Sequence, residues 1–230
     1  MSDKRITIAI DGHSSCGKST MAKALSKELG YVFVDSGAMY RGVTLYCRQQ
    51  GLIVDGVPNE AKILAHLNHI SLAFAFNPSR GASDLLLNGV NVEALIRTPE
   101  VAGDVSKIAA LPFVRKKLVD EQRKMGKNGG IVMDGRDIGS VVFPNAELKL
   151  FVTAAPEIRA ERRCLELQEN GIETNREEVL QNLNERDHLD STREDSPLIQ
   201  TEDAIVIDTS HLDREEQLQM ALDLVHAKLT

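Results

Sequence analysis

An α/β fold, with a parallel sheet covered by helices on both faces, is the architecture the sequence predicts. Short apolar strands alternate with segments of helical spacing, and Asp11, Asp35 and Asp134 each stand at the carboxyl end of such a strand, where ligands of open α/β sheets gather. The 230 residues suffice for one buried core with inserted lobes, and neither an internal repeat nor a linker divides them.

The elements follow in order. Arg5 to Asp11 (RITIAID) reads as a strand that turns abruptly at Gly12, and Lys18 to Leu29 has helical spacing at Met21, Leu25 and Leu29. Tyr31 to Val34 is a second strand; Asp35-Ser36-Gly37 stops it and caps a helix beginning near Ala38. From Gly51 to about Thr98 the texture changes. Ile70 to Phe76 reads as a strand, Asn77 to Gly81 as a turn, and Leu85 to Val90 as two short strands around Asn88-Gly89, so a small antiparallel insert is expected. Ile131 to Asp134, Glu147 to Thr153 and Ala204 to Asp208 are further strands, each separated from the next by helical pattern.

Composition narrows the function. A hydrophobic fraction of 42% and a charged fraction of 27% are those of an ordinary globular protein, and no apolar run approaches a membrane span. A net charge of −7 disfavours broad nucleic-acid binding, which relies on many phosphate neutralisations. Met1-Ser2-Asp3-Lys4-Arg5 runs into the first strand without a leader's apolar region, and Cys16, Cys47 and Cys164 lack CxxC spacing. A reducing cytoplasm is therefore the expected compartment. The six histidines form no HExxH cluster and read as surface or satisfied side chains.

Gly12-His13-Ser14-Ser15-Cys16-Gly17-Lys18-Ser19 matches G-x-x-x-x-G-K-[ST] in full, between a predicted strand and a predicted helix. Such a loop turns successive N–H groups inward, and the helix N-terminus adds its positive dipole end, so the loop through Thr20 suits a polyphosphate. Lys18 is placed to follow the β- and γ-phosphates of ATP, and the Ser19 hydroxyl to ligate Mg²⁺, with Asp134 reaching the ion through water. The sequence contains neither Asn-Lys-x-Asp nor Asp-x-x-Gly, which disfavours a GTPase. Cys16 reads as a small loop residue; the alternative is a thiolate favoured by the surrounding N–H groups and Lys18.

Between Leu150 and Ala227 there is no lysine, yet seven arginines are present. Guanidinium gives fixed, bidentate contacts to phosphate, so the bias suits oriented anion binding. Arg159, Arg162 and Arg163 share one helical face just after Pro156, and Arg186, Asp190 and Arg193 share another; an exposed face paired with glutamates is the competing reading. Asp134-Gly135-Arg136-Asp137 follows a strand, and its glycine permits a turn presenting Arg136 and Asp137.

With these segments in hand, the chain resembles the bacterial cytidylate kinases over nearly its whole length. The likeness is carried by the phosphate loop, Asp35-Ser-Gly-Ala-Met-Tyr-Arg41, Ile96-Arg-Thr-Pro-Glu-Val101, Ser106 with Arg115, Asp134 to Asp137, the three arginines after Pro156, and Arg186 with Asp190 and Arg193. The resemblance implies a P-loop kinase of one domain over residues 1–230, with a monophosphate-binding insert over about 38–115 and a helical lid over about 155–175. It implies phosphoryl transfer from ATP to CMP or dCMP with Mg²⁺; composition adds the expectation of a cytoplasmic chain that binds neither nucleic acid nor membrane, and a monomer is expected. Arg41, Arg136 and Arg193 then hold the acceptor phosphate, Asp190 and Arg186 the sugar, and Ser106, Arg115 and Asp137 the cytosine, with Ser36 and Tyr40 beside the acceptor. The catalytic charge comes from Lys18, Arg159, Arg162 and Arg163. The departure is His13-Ser14-Ser15-Cys16, where many relatives carry proline and small residues. Alternatives are a kinase for UMP or AMP, or a nucleotide switch without a small acceptor.

Overall fold

A computed structural model describes residues 5–169 and 171–229; Met1 to Lys4, where a leader was sought, and Asn170, within the expected lid, lie outside the described residues. In chain order the elements begin with strand β1 (Thr7–Gly12), helix α1 (Lys18–Leu29), β2 (Val32–Asp35), α2 (Ser36–Gln49), β3 (Ile53–Val54), β4 (Val57–Pro58) and α3 (Glu60–His66). They continue with β5 (Leu72–Asn77), β6 (Ala82–Leu87), β7 (Val90–Asn91), α4 (Pro99–Ala109), α5 (Pro112–Met125) and β8 (Ile131–Gly135). The last are β9 (Leu148–Thr153), α6 (Pro156–Glu169), α7 (Arg176–Thr192), β10 (Ile205–Asp208) and α8 (Arg214–Leu229). Two compact units result: one from the segments up to Phe33 and from Gly126 onward, the other from Val34–Met125.

The first unit is built on a five-stranded parallel sheet of order β10-β9-β1-β8-β2; the boundary between the units falls inside β2. β1 lies at its centre, in parallel register with β8 on one side (Ile10 opposite Asp134) and β9 on the other (Ile10 opposite Leu150). Strands covered on both faces lose the apolar–polar alternation, and all five residues of β8 are buried. On one face Ile6, Ile8, Ile10, Leu148, Leu150 and Val152 pack with Met21 and Leu25 of α1 and Ala221 and Val225 of α8. The 3.6-residue spacing of Met21 and Leu25 turns both toward the sheet.

The expectation of helical pattern between every pair of late strands holds for β9 and β10 but shrinks between β8 and β9 to one π-helical turn, Ile138–Val142. Asp11 explains the turn. Its Oδ1 accepts from the Ile138 amide at 2.8 Å and its Oδ2 from the Gly139 amide at 2.7 Å, satisfying two donors that open the turn.

In the second unit, Asp35 caps α2 by accepting from the Ala38 amide at 2.9 Å, so the helix begins two residues before the position read from sequence. The antiparallel insert is the sheet β5-β6-β7. Asn88 and Gly89 both have positive φ, 49° and 81°, as the two-residue hairpin between β6 and β7 requires. A second hairpin, β3–β4, was not anticipated, although Asp55-Gly56 is an equally plain turn signal. Among the described residues no helix is long and apolar enough to cross a membrane.

Candidate active site

The loop that follows β1 is shaped by what surrounds it. Gly12 has φ of +151°, and a Cβ there would lie 2.1 Å from the carbonyl oxygen of Val152 on β9, so no side chain fits. Ser15 adopts φ of 60°, the left-handed conformation. Lys18, 7% exposed, donates from Nζ to the His13 carbonyl at 2.9 Å and thus lies across the loop. Thr20 faces outward in the first turn of α1.

Cys16 is fully buried in the core and its Sγ contacts the His13 carbonyl at 3.1 Å, so the thiol points away from the surface. Its own carbonyl accepts from Thr209 Oγ1 at 2.8 Å. Thr209, just beyond β10, is a residue that sequence reasoning missed; Asp208-Thr209-Ser210 at a strand's carboxyl end was the available signal.

The Ser19 hydroxyl donates to Asp134 Oδ2 at the end of β8. A hydroxyl and a carboxylate side by side are hard oxygen donors of the kind Mg²⁺ takes. Among the described residues no three His, Cys, Asp or Glu side chains gather into a metal cluster.

The arginines after Pro156 part company. Arg159, 4% exposed, contacts the Ser14 carbonyl from Nη1 at 3.3 Å and Asp187 at 2.6 Å. Arg162 docks on Thr209, donating to its Oγ1 at 2.9 Å and its carbonyl at 2.7 Å. Arg163 pairs with Glu166 at 2.8 Å, the glutamate-paired surface arrangement.

Past β8 the turn delivers Arg136 and Asp137. Arg136 Nε donates to Asp190 Oδ2 on α7 at 2.7 Å, and Arg193 lies 3.7 Å from Asp190 Oδ1 and 3.9 Å from Asp137 Oδ1. Burial opposes charge on Asp190, but Arg136, with Arg193 and Arg186, outweighs it and holds the carboxyl below its usual range. Two predicted arginines, Arg136 and Arg193, thus meet at the Asp190 carboxylate, with Asp137 on the far side of Arg193, and Arg186 adds its field one helical turn earlier.

The second unit has its own charged row. Arg41 reaches Asp35 at 2.7 Å, Arg97 bridges Asp35 at 3.1 Å and Glu93 at 2.8 Å, and Arg80 joins Glu93 at 3.7 Å to Asp84 at 2.5 Å. Burial works against the Asp35 charge, yet Arg41 and Arg97 hold its carboxyl far below the ordinary value. Arg115, 2% exposed on α5, lies over the Tyr40 ring at 5.6 Å and donates to the Ala109 carbonyl at 3.1 Å. Ser36 is buried at the start of α2 and Ser106 half-buried on α4. Arg97, in the Ile96–Val101 segment, is a further functional candidate, because it ties Asp35 to Glu93.

A family model described as cytidylate kinase matches residues 8–227. A cytidylate kinase of Parabacteroides distasonis is 57% identical over 223 residues, covering 97% of each chain. One of Flavobacterium psychrophilum is 55% identical over 223 residues, covering 97% of this chain and 99% of that one. A third, of Bacteroides fragilis, is 55% identical over 214 residues, 93% of each chain.

Proposed function

The chain belongs to the cytidylate kinase family and transfers the γ-phosphoryl group of ATP to CMP, and on that premise we propose how its residues divide the work. The reading is carried by the convergence of Arg136 and Arg193 on the single carboxylate of Asp190. Two guanidinium groups oriented by one anion suit a second, smaller anion, the acceptor phosphate, and Arg41 is assigned to the same group.

Asp190 and Arg186 take the sugar hydroxyls. Asp137 accepts the exocyclic amine of cytosine, while Arg115 and Ser106 donate to its ring nitrogen and carbonyl. Ser36 and Tyr40 line the acceptor. The loop amides from Gly12 to Thr20 and the Lys18 ammonium hold the ATP phosphates, and Arg159, Arg162 and Arg163 spread positive charge over the transferring group. The segment of about 38–115 receives the monophosphate and the helices of about 155–175 act as a lid; dCMP is also accepted, and the enzyme is a cytoplasmic monomer that binds neither nucleic acid nor membrane.

The acceptor is a phosphate monoester with a second pKa of about 6, so its oxygen is already anionic near neutrality and no general base is needed. The work is to hold two anions in line and offset their repulsion. Ser19 and Asp134 would hold Mg²⁺, which would supply further charge neutralisation when bound.

The test is a coupled measurement of ADP release with ATP, Mg²⁺ and a panel of CMP, dCMP, UMP and AMP. CMP is expected to give the highest kcat/KM. Equal turnover of AMP, or ADP release independent of any acceptor, would overturn the assignment of the cytosine contacts.

A further inference from the structure

Asp187 on α7 has no role in the division of work above. Its Oδ1 lies 3.2 Å from His13 Nδ1 in the phosphate loop, and its Oδ2 lies 2.6 Å from Arg159 Nη1 on α6. The same Arg159 nitrogen lies 3.3 Å from the Ser14 carbonyl, so one carboxylate joins the loop, α6 and α7. The side chains of Arg159 and Asp187 are 5% and 15% exposed.

An anion beside a phosphate-binding loop repels the ligand unless its charge is taken up by fixed partners. Here Arg159 takes up the charge at Oδ2, and His13 lies beside Oδ1. Burial opposes ionisation of Asp187, but His13 and Arg159 beside it hold its carboxyl below the usual range. The contact to Arg159 is therefore a charge-assisted bond at the short end of its range, able to fix the direction of the guanidinium. Without Asp187 the named contact of that guanidinium is the longer one, to the Ser14 carbonyl.

We propose that Asp187 is a positioning residue for phosphoryl transfer, aiming Arg159 along the phosphate loop with His13 beside its second oxygen. This rests on the reading that Arg159 acts on the transferring phosphate. The carboxylate's contribution is the orientation of one guanidinium.

The experiment compares steady-state kinetics of the wild type, Asp187→Ala, Asp187→Asn, Arg159→Ala and the double variant Asp187→Ala/Arg159→Ala, with thermal melts of each. Asp187→Ala is expected to lower kcat by about 10- to 100-fold while changing KM for CMP by less than about threefold. The double variant should turn over no more slowly than Arg159→Ala, because the carboxylate acts through that arginine. Asp187→Asn, which keeps an acceptor oxygen and the side-chain shape, should fall between wild type and Asp187→Ala and melt near the wild type.

Asp187→Asn with wild-type kcat, or a double variant whose loss is the product of the two single losses, would overturn the proposal. A near-normal Arg159→Ala would instead remove the role given to Arg159 itself, a separate result read from a separate variant.

Discussion

Arg136 Nε donates to Asp190 Oδ2 at 2.7 Å across 54 residues of chain, the side chains being 19% and 10% exposed. The pair stabilises the turn after β8 against α7 and orients the guanidinium. Arg136→Ala leaves a mostly buried carboxylate short of its main partner, and denaturant unfolding should show a loss of about 3 kcal/mol. KM for CMP should rise about 100-fold or more. Arg136→Lys should restore stability better than CMP affinity, since an ammonium reproduces the charge but not the fork; equal recovery of both would refute the phosphate role.

Gly12→Ala places a methyl 2.1 Å from the Val152 carbonyl at a φ of +151°. Neither the β9 backbone nor the loop can absorb that contact without moving. The variant should lose more than about 2 kcal/mol in unfolding experiments and most of its ATP affinity; a well-folded variant with normal ATP binding would contradict the geometry.

Asp11 titrates against the usual direction. Burial lifts its carboxyl from 3.8 to about 6, over the opposing hydrogen bonds of the Gly139 and Ile138 amides. The folded chain then holds this proton more tightly than the unfolded one. Its contribution to stability is greatest below about pH 4, falls as pH rises toward about 6 and is level above, a change of about 3 kcal/mol. In Asp11→Asn that component should vanish, so the difference in unfolding free energy between variant and wild type should shift between about pH 4 and 6.5. A difference independent of pH would refute the raised value.

Lys18→Ala removes the ammonium that lies across the loop, and kcat for CMP phosphorylation should fall by about 100-fold or more. Rapid-quench measurement of the chemical step would locate the loss there rather than in product release.

Asp137→Ala should weaken discrimination among bases more than ATP binding. The ratio of kcat/KM for CMP over UMP should drop about tenfold or more, because a carboxylate matched to an exocyclic amine is replaced by nothing. An unchanged ratio would place base recognition elsewhere.

Features encoded within a few residues of one another are legible from the amino acids without a structure. The alternation of strands and helices, the loop from Gly12 to Ser19, the Asn88-Gly89 hairpin and the aspartates at strand ends are local, because backbone conformation responds to period and to turn residues. Even the β3–β4 hairpin is written locally, in Asp55-Gly56.

Tertiary structure alone decided which charges meet. Arg159, Arg162 and Arg163 share a face and a residue type, yet one is turned onto the loop and Asp187, one is docked on Thr209 and one pairs with Glu166. Likewise β8 is followed by a π-helical turn because Asp11, more than a hundred residues earlier, offers two acceptors to its first amides. Helical spacing fixes the side a residue occupies, whereas the partner waiting there comes from strand order and packing between distant segments, which no local pattern encodes.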